Sequence, residues 1–150
     1  MLPRVVNAAF LSSGFTGAYL VYSWLGIYVF DLYSRQFGPD KSMGVAWVVA
    51  PVLLVLVALS SLMGSAIAGS QRRVGNAKLV LAGFLCFLSG ALLFDLFAPP
   101  FGYPNARTVL GVLVILWMAL SPALVTWLLT RSPGSPEAPS NKSLERTREG

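Results

Sequence analysis

Apolar side chains run almost without interruption through four stretches of the chain, near 10–30, 45–67, 79–97 and 109–129, with short polar breaks between them. A hydrocarbon layer about 30 Å thick is crossed by about 20 residues rising about 1.5 Å each, so every stretch is long enough to span a membrane as a helix. None contains Lys, Arg or Glu, and Asp95 is the only formal charge within these limits. A soluble bundle would need polar outer faces at helical spacing, and those are missing. The pattern therefore predicts an all-α polytopic membrane protein with four transmembrane helices. Connections of about 9 to 15 residues make successive helices antiparallel neighbours and leave no loop able to hold a catalytic domain.

The pattern also repeats. Phe30-Asp31-Leu32-Tyr33, followed by Phe37-Gly38, returns 64 positions later as Phe94-Asp95-Leu96-Phe97, followed by Phe101-Gly102. Five of nine positions are identical between 30–38 and 94–102, and two of the three aspartates of the chain occupy the matched site. Ala18 answers Ala82 and Gly26 answers Gly90. Each second helix carries a Trp shortly before a proline, Trp47 with Pro51 and Trp117 with Pro122, at a shifted spacing. The expectation is two parallel two-helix repeats, 10–67 and 75–129, related by an axis along the membrane normal, with Asp31 and Asp95 at one depth.

Composition agrees with the hydropathy. A chain that is 55% hydrophobic and 11% charged has more apolar surface than a soluble core of its size uses, and the surplus must face lipid. The first stretch is much longer than the about 7 to 15 apolar residues of a signal-peptide core and precedes no small-x-small site, so it reads as a retained span. Arg4, Arg72, Arg73, Lys78 and Arg131 fall on one side, and Arg35, Lys41 and Arg107 on the other. Short loops rich in Lys and Arg stay cytoplasmic, which predicts both termini and the 70–77 loop on the cytoplasmic side of the membrane. The net charge of +5 then reflects topology and contact with anionic lipid. No nucleic-acid partner is expected, because no basic helix or aromatic platform is present. From 132 to 150 the composition turns to Ser, Pro, Gly and charge, which predicts a disordered cytoplasmic tail.

The last ten residues, Asn141-Lys142-Ser143-Leu144-Glu145-Arg146-Thr147-Arg148-Glu149-Gly150, resemble the endings of bacterial integron gene-cassette products, in which a reading frame runs into the recombination site before it stops. The resemblance covers these residues alone and is silent on the membrane domain. It implies a mobile accessory gene, a class that includes resistance, stress and phage-defence functions. An ordinary disordered tail is the other reading.

Candidate chemistry is sparse. Histidine is absent and Cys86 is the only cysteine, so there is no disulfide framework, no zinc site of the usual ligands and no haem ligand pair, and no cofactor is expected. With no Ser-His or Cys-His pair and no phosphate-binding glycine loop, an enzyme is not expected either. Asp31 and Asp95 each end an apolar run, where a helix macrodipole disfavours an acid by about 0.3 to 1 kcal/mol. One reading offsets this with interfacial ion pairs, Asp31 with Arg35 and Asp95 with Arg107. The other sets the two carboxylates across a pseudo-axis, sharing a proton or holding a cation at the mouth of a pathway.

Small residues mark the helix contacts. Ser60, Gly64 and Ala68 recur every four positions, with Ser61, Ser65 and Gly69 beside them, and Ser13, Gly14, Gly17 and Ala18 offer a similar surface on the first helix. These faces are expected to meet each other or to form an oligomer contact. Pro51 and Pro122, inside spans, are expected to kink their helices. Phe15, Tyr19 and Tyr22 share one helix face, Trp24 and Tyr28 another. The phenols of Tyr19 and Tyr22 need partners, such as Ser60, Ser61 or a backbone carbonyl. An aromatic cleft for a lipid tail or quinone is an alternative to plain core packing.

Two functional classes follow. The first is a non-enzymatic membrane protein that works by association, as an accessory subunit, sensor, or defence or stress component, its partners being the lipid bilayer and a second copy or another membrane protein. The second is a small oligomeric transporter or channel that uses Asp31 and Asp95.

Overall fold

The computed structural model describes residues 1–29, 31, 35, 38–69, 72–97 and 104–131, without the side chains of 97 and 104–107. All regular structure among them is helical: α1 (Leu2–Trp24), continued by a π-helical turn (Leu25–Val29), α2 (Pro39–Ile67), α3 (Asn76–Phe97) and α4 (Pro104–Arg131). Four helical segments, Leu2–Val29, Pro39–Ile67, Asn76–Leu96 and Thr108–Arg131, are long and apolar enough to cross a membrane. The tail at 132–150 lies outside the described residues.

The helices overrun the apolar stretches because their ends carry their own stop and start chemistry. Prolines stand in the first turns of α1 and α2 and at the start of α4, where a fixed φ suits the helix and the missing N–H costs nothing. Asp40 adds a favourable charge to the first turn of α2. That helix ends on Gly69 at φ 66°, whose N–H donates to the Ala66 carbonyl at 3.0 Å, the left-handed cap that glycine adopts without a Cβ penalty. Both internal prolines lie within continuous helices, Pro51 exposed and Pro122 buried.

The bundle is a square in which α1 packs on α2 and α3, and α4 closes the ring against the same two helices. Asn7 reaches the 72–74 segment, and Gly14 lies against Val80, so α1 and α3 run parallel. Ser60 reaches Ala119 and Gly64 lies against Ala123, so α2 and α4 are parallel too. Met1, residues 68–69 and 72–75, and Arg131 therefore share one end of the bundle. The two hairpins are parallel, as expected, but an axis along the normal would put α1 diagonal to α3 and α2 diagonal to α4. Here both pairs are neighbours, and the hairpins stand side by side.

What holds these parallel pairs together is backbone contact. A Cβ built on Gly14 would overlap the Val80 carbonyl, one on Gly83 would overlap the Leu11 carbonyl, and one on Gly64 would overlap the Ala123 carbonyl. Lipid tails give apolar side chains no reason to associate, so close approach and interhelical hydrogen bonds carry the seams. Ser60 donates to the Ala119 carbonyl at 2.5 Å, and the Ser61 and Thr126 hydroxyls meet at 2.8 Å. Between α1 and α3 the core is Leu11, Phe15, Leu79 and Phe87. The outer faces stay apolar, with Val48 70% and Ile115 68% exposed, as a lipid-facing surface requires.

Gly83→Val and Gly64→Val should each lower the thermal unfolding midpoint in detergent, by the equivalent of about 2 kcal/mol or more, because the clash is with backbone that cannot yield. Gly17→Ala is the control: nothing lies within 4 Å of its Cβ position, so the change should leave the midpoint unlowered or raise it by up to about 1 kcal/mol, alanine being the better helix former. A Gly83→Val protein that melts with the natural one would refute this seam.

Candidate functional site

The seams bring the helices together in the half of the bundle nearer Met1 and Arg131. Toward the other end they separate. Past Trp24 the first helix loosens into its π-helical turn, a deviation often found at functional sites, and Ala46 and Ala91 project little bulk inward. Between all four helices lies a partly open cavity of about 500 Å³. Its α1 wall is Tyr19, Tyr22 and Ile27, and α3 supplies Phe87 and Phe94. Met118 comes from α4, while Val45, Val49 and Leu53 complete the wall from α2.

Phe87 organises this wall. The rings of Phe15, Tyr19 and Tyr22 all meet it edge-on, at centroid distances of 5.4, 5.9 and 5.7 Å. Edge-to-face geometry of this kind adds about 0.5 to 1.5 kcal/mol per pair beyond area burial. The shared face of Phe15, Tyr19 and Tyr22 thus points at α3. Trp24 and Tyr28, on another face, pack on each other at 6.0 Å and stay about half exposed.

The Tyr22 hydroxyl donates to Asp95 Oδ2 at 2.5 Å, the length of a hydroxyl–carboxylate bond, and ties α1 to α3 at the cavity edge. This differs from the expected partners, Ser60, Ser61 or a carbonyl, because both serines face α4 instead. Tyr19 and Ser23 line the cavity, and their hydroxyls make no hydrogen bond among the described residues. Ser42 adds a further hydroxyl-bearing residue from the start of α2.

The matched aspartates have unlike settings. Asp95 is inside the last turn of α3, whereas Asp31 lies beyond the π-helical turn at φ 51°, a left-handed conformation that Asp tolerates. Asp31 Oδ2 is 3.7 Å from Arg35 Nε, as expected, but both side chains are mostly exposed and such a pair contributes little. The contacts described for the two carboxylates differ, Arg35 for Asp31 and Tyr22 for Asp95. The π-helical turn that continues α1 has no counterpart in α3, so the matched aspartates end up in different geometry. The expected Asp95–Arg107 pair lies outside the described residues, since the Arg107 side chain is among those left out.

The small-residue faces also meet other surfaces than expected. Gly14 lies against α3 and Gly64 against α4, with Ser60 bonded to α4. Ala18 is in the core, and Ala68 follows the end of α2. Ser13 is exposed and donates to the Phe10 carbonyl at 2.9 Å, and Gly17 has open space around it. Cys86 is buried.

Three residues escaped the sequence reading. Gly83 forms half of the α1–α3 seam, and Phe87 centres the aromatic wall. Buried Asn7 donates from Nδ2 to the Arg72 carbonyl at 2.9 Å and accepts from the Val74 N–H at 3.3 Å. A lone amide in an apolar helix was the available signal for Asn7, since such a group must find partners. Charge is polarised along the bundle. Arg4, Arg72, Arg73, Lys78 and Arg131 occupy the end near Met1, and Asp31, Asp40 and Asp95 the other, where Arg35 and Lys41 also lie. Arg131 also sits over the Trp127 ring, 4.7 Å from its centroid. Among the described residues no cluster of three or more His, Cys, Asp or Glu could hold a metal ion.

A double-mutant cycle of Tyr22→Phe and Asp95→Asn, read by thermal unfolding, should return a coupling of about 1 kcal/mol. The same cycle on Asp31 and Arg35 should return less than about 0.5 kcal/mol. Equal couplings would contradict the different settings of the two aspartates.

Comparison of the chain with protein-family models, characterised proteins and solved structures finds no match.

Proposed function

We propose that this chain is a multi-pass protein of the bacterial inner (cytoplasmic) membrane, with both termini cytoplasmic, that acts without enzymatic chemistry by association within the membrane. It serves as an accessory, sensor, or defence or stress component, with the bilayer and a second copy or another membrane protein as partners. The observation that carries this reading is how the interior polar groups are used. Asn7 holds a connection, Ser60 and Ser61 join α2 to α4, and Trp117 Nε1 donates to Ser89 Oγ between α4 and α3. These contacts are structural: Asn7, Ser60, Ser61, Ser89 and Trp117 are spent on holding helices together. The resemblance of the last ten residues to integron cassette endings fits an accessory role. The orientation is supported by the five basic and no acidic side chains at the Met1 end among the described residues.

The transport reading, with Asp31 and Asp95 as coupling groups of an oligomer, has less support, since those carboxylates engage Arg35 and Tyr22 separately.

Orientation is tested by single cysteines in a Cys86→Ala background. A membrane-impermeant maleimide should label Asp40→Cys on intact spheroplasts and Gly75→Cys only after permeabilisation; the reverse order would invert the topology. Proteoliposomes should carry no proton or monovalent-cation flux above that of lipid alone. Flux that vanishes in the Asp31→Asn, Asp95→Asn double variant would replace association with transport.

A further inference from the structure

We infer that the cavity between the four helices is a binding site for an uncharged, mostly hydrocarbon molecule that carries a carbonyl oxygen, of the kind found in a lipid ester or a quinone ring. This goes beyond the association reading and does not depend on it.

Size comes first. About 500 Å³ is within the range of roughly 300 to 1,000 Å³ that small-molecule sites occupy. The walls come next. Tyr19, Tyr22, Phe87 and Phe94 supply rings, and Met118 supplies a flexible, polarisable thioether, so the surface accommodates a flat ring or a chain. Phe87 is locked by three edge-on neighbours, which makes this wall preformed rather than moulded by a guest.

The polar groups choose among apolar guests. Tyr19 and Ser23 each bring a hydroxyl donor to the cavity with no acceptor among the described residues. A hydroxyl in apolar surroundings is costly unless it is paired, so the guest that fits best brings an acceptor. A carbonyl does this without adding charge. No carboxylate is among the residues that line the cavity, and Asp95 is engaged by the Tyr22 hydroxyl. A lipophilic cation would find aromatic rings but no free counter-charge on the wall, and an anion would find no basic side chain there. A neutral guest is the one the site matches.

The test uses the purified full chain, with adducts read by native mass spectrometry during titration with two probes, a benzoquinone bearing a decyl chain and dipalmitoylglycerol. The natural protein should bind at least one of them with 1:1 stoichiometry. Binding of the quinone alone points to a free lipid-soluble carbonyl compound, and binding of the glycerolipid alone to a membrane lipid. The Tyr19→Phe, Ser23→Ala variant, nearly unchanged in shape, should bind about tenfold more weakly. Ala91→Phe, which projects a ring into the space, should abolish the adduct while a thermal melt reports its fold. If that variant does not fold, the donor-less variant decides. Failure of both probes to bind, or equal affinity in the natural and donor-less proteins, would overturn the assignment. So would binding of tetraphenylphosphonium where neither carbonyl probe binds.

Discussion

Water is absent from the middle of a bilayer, so helices there are drawn together by close packing and by the hydrogen bonds that close packing permits. In this protein that constraint is met at Gly14, Gly83 and Gly64, where the absence of a Cβ lets one backbone rest against the next. The serines of α2 reach the α4 backbone and Thr126 only because those axes are already near. Interhelical bonds of this kind average about 0.6 kcal/mol in membranes, so contact between backbones, more than any single polar pair, sets the architecture. Side-by-side hairpins and a ring that separates toward one end follow from where the glycines fall.

That separation explains why the aromatic residues sit where they do. Beyond the seams, bulk has to be supplied by side chains, and α1 and α3 supply it as rings clustered on Phe87. The π-helical turn lies at the same end, and with Ala46 and Ala91 it borders a cavity instead of a filled core. The polar elements near the cavity are few and differ in state: Tyr22 is committed to Asp95, while Tyr19 and Ser23 are uncommitted among the described residues. One end of the molecule is thus mechanical and the other carries the room for a ligand.

The repeated phrase shows how equal sequence yields unequal chemistry. Asp31 and Asp95 stand in matching words, yet one is beyond its helix in a left-handed conformation with an exposed arginine, and the other is inside a helix beneath a tyrosine from a neighbour. An acid can be recognised in a sequence, but its partner is set by which helix face turns toward it. The same holds for the small-residue faces, which suit close contact with any helix and carry no label for the partner.

Hydropathy alone determined the all-helical class, the number of spans and their approximate limits, because the length of a span and the cost of burying charge in lipid are read directly from composition along the chain. It also determined the charge asymmetry, with Arg4, Arg72, Arg73, Lys78 and Arg131 gathered at one end. It gave the Asp31–Arg35 pair as well, since a partner four residues away is a local matter. Tertiary structure decided everything that depends on which helices are neighbours: the α1–α3 and α2–α4 seams, the Tyr22–Asp95 bond, the anchoring of the 72–74 segment by Asn7, and the cavity. The first group follows from the solvent preference of each residue and from short-range geometry. The second depends on contacts between residues 59 to 73 positions apart, and helices that are apolar on every side carry no stripe to announce which face turns inward.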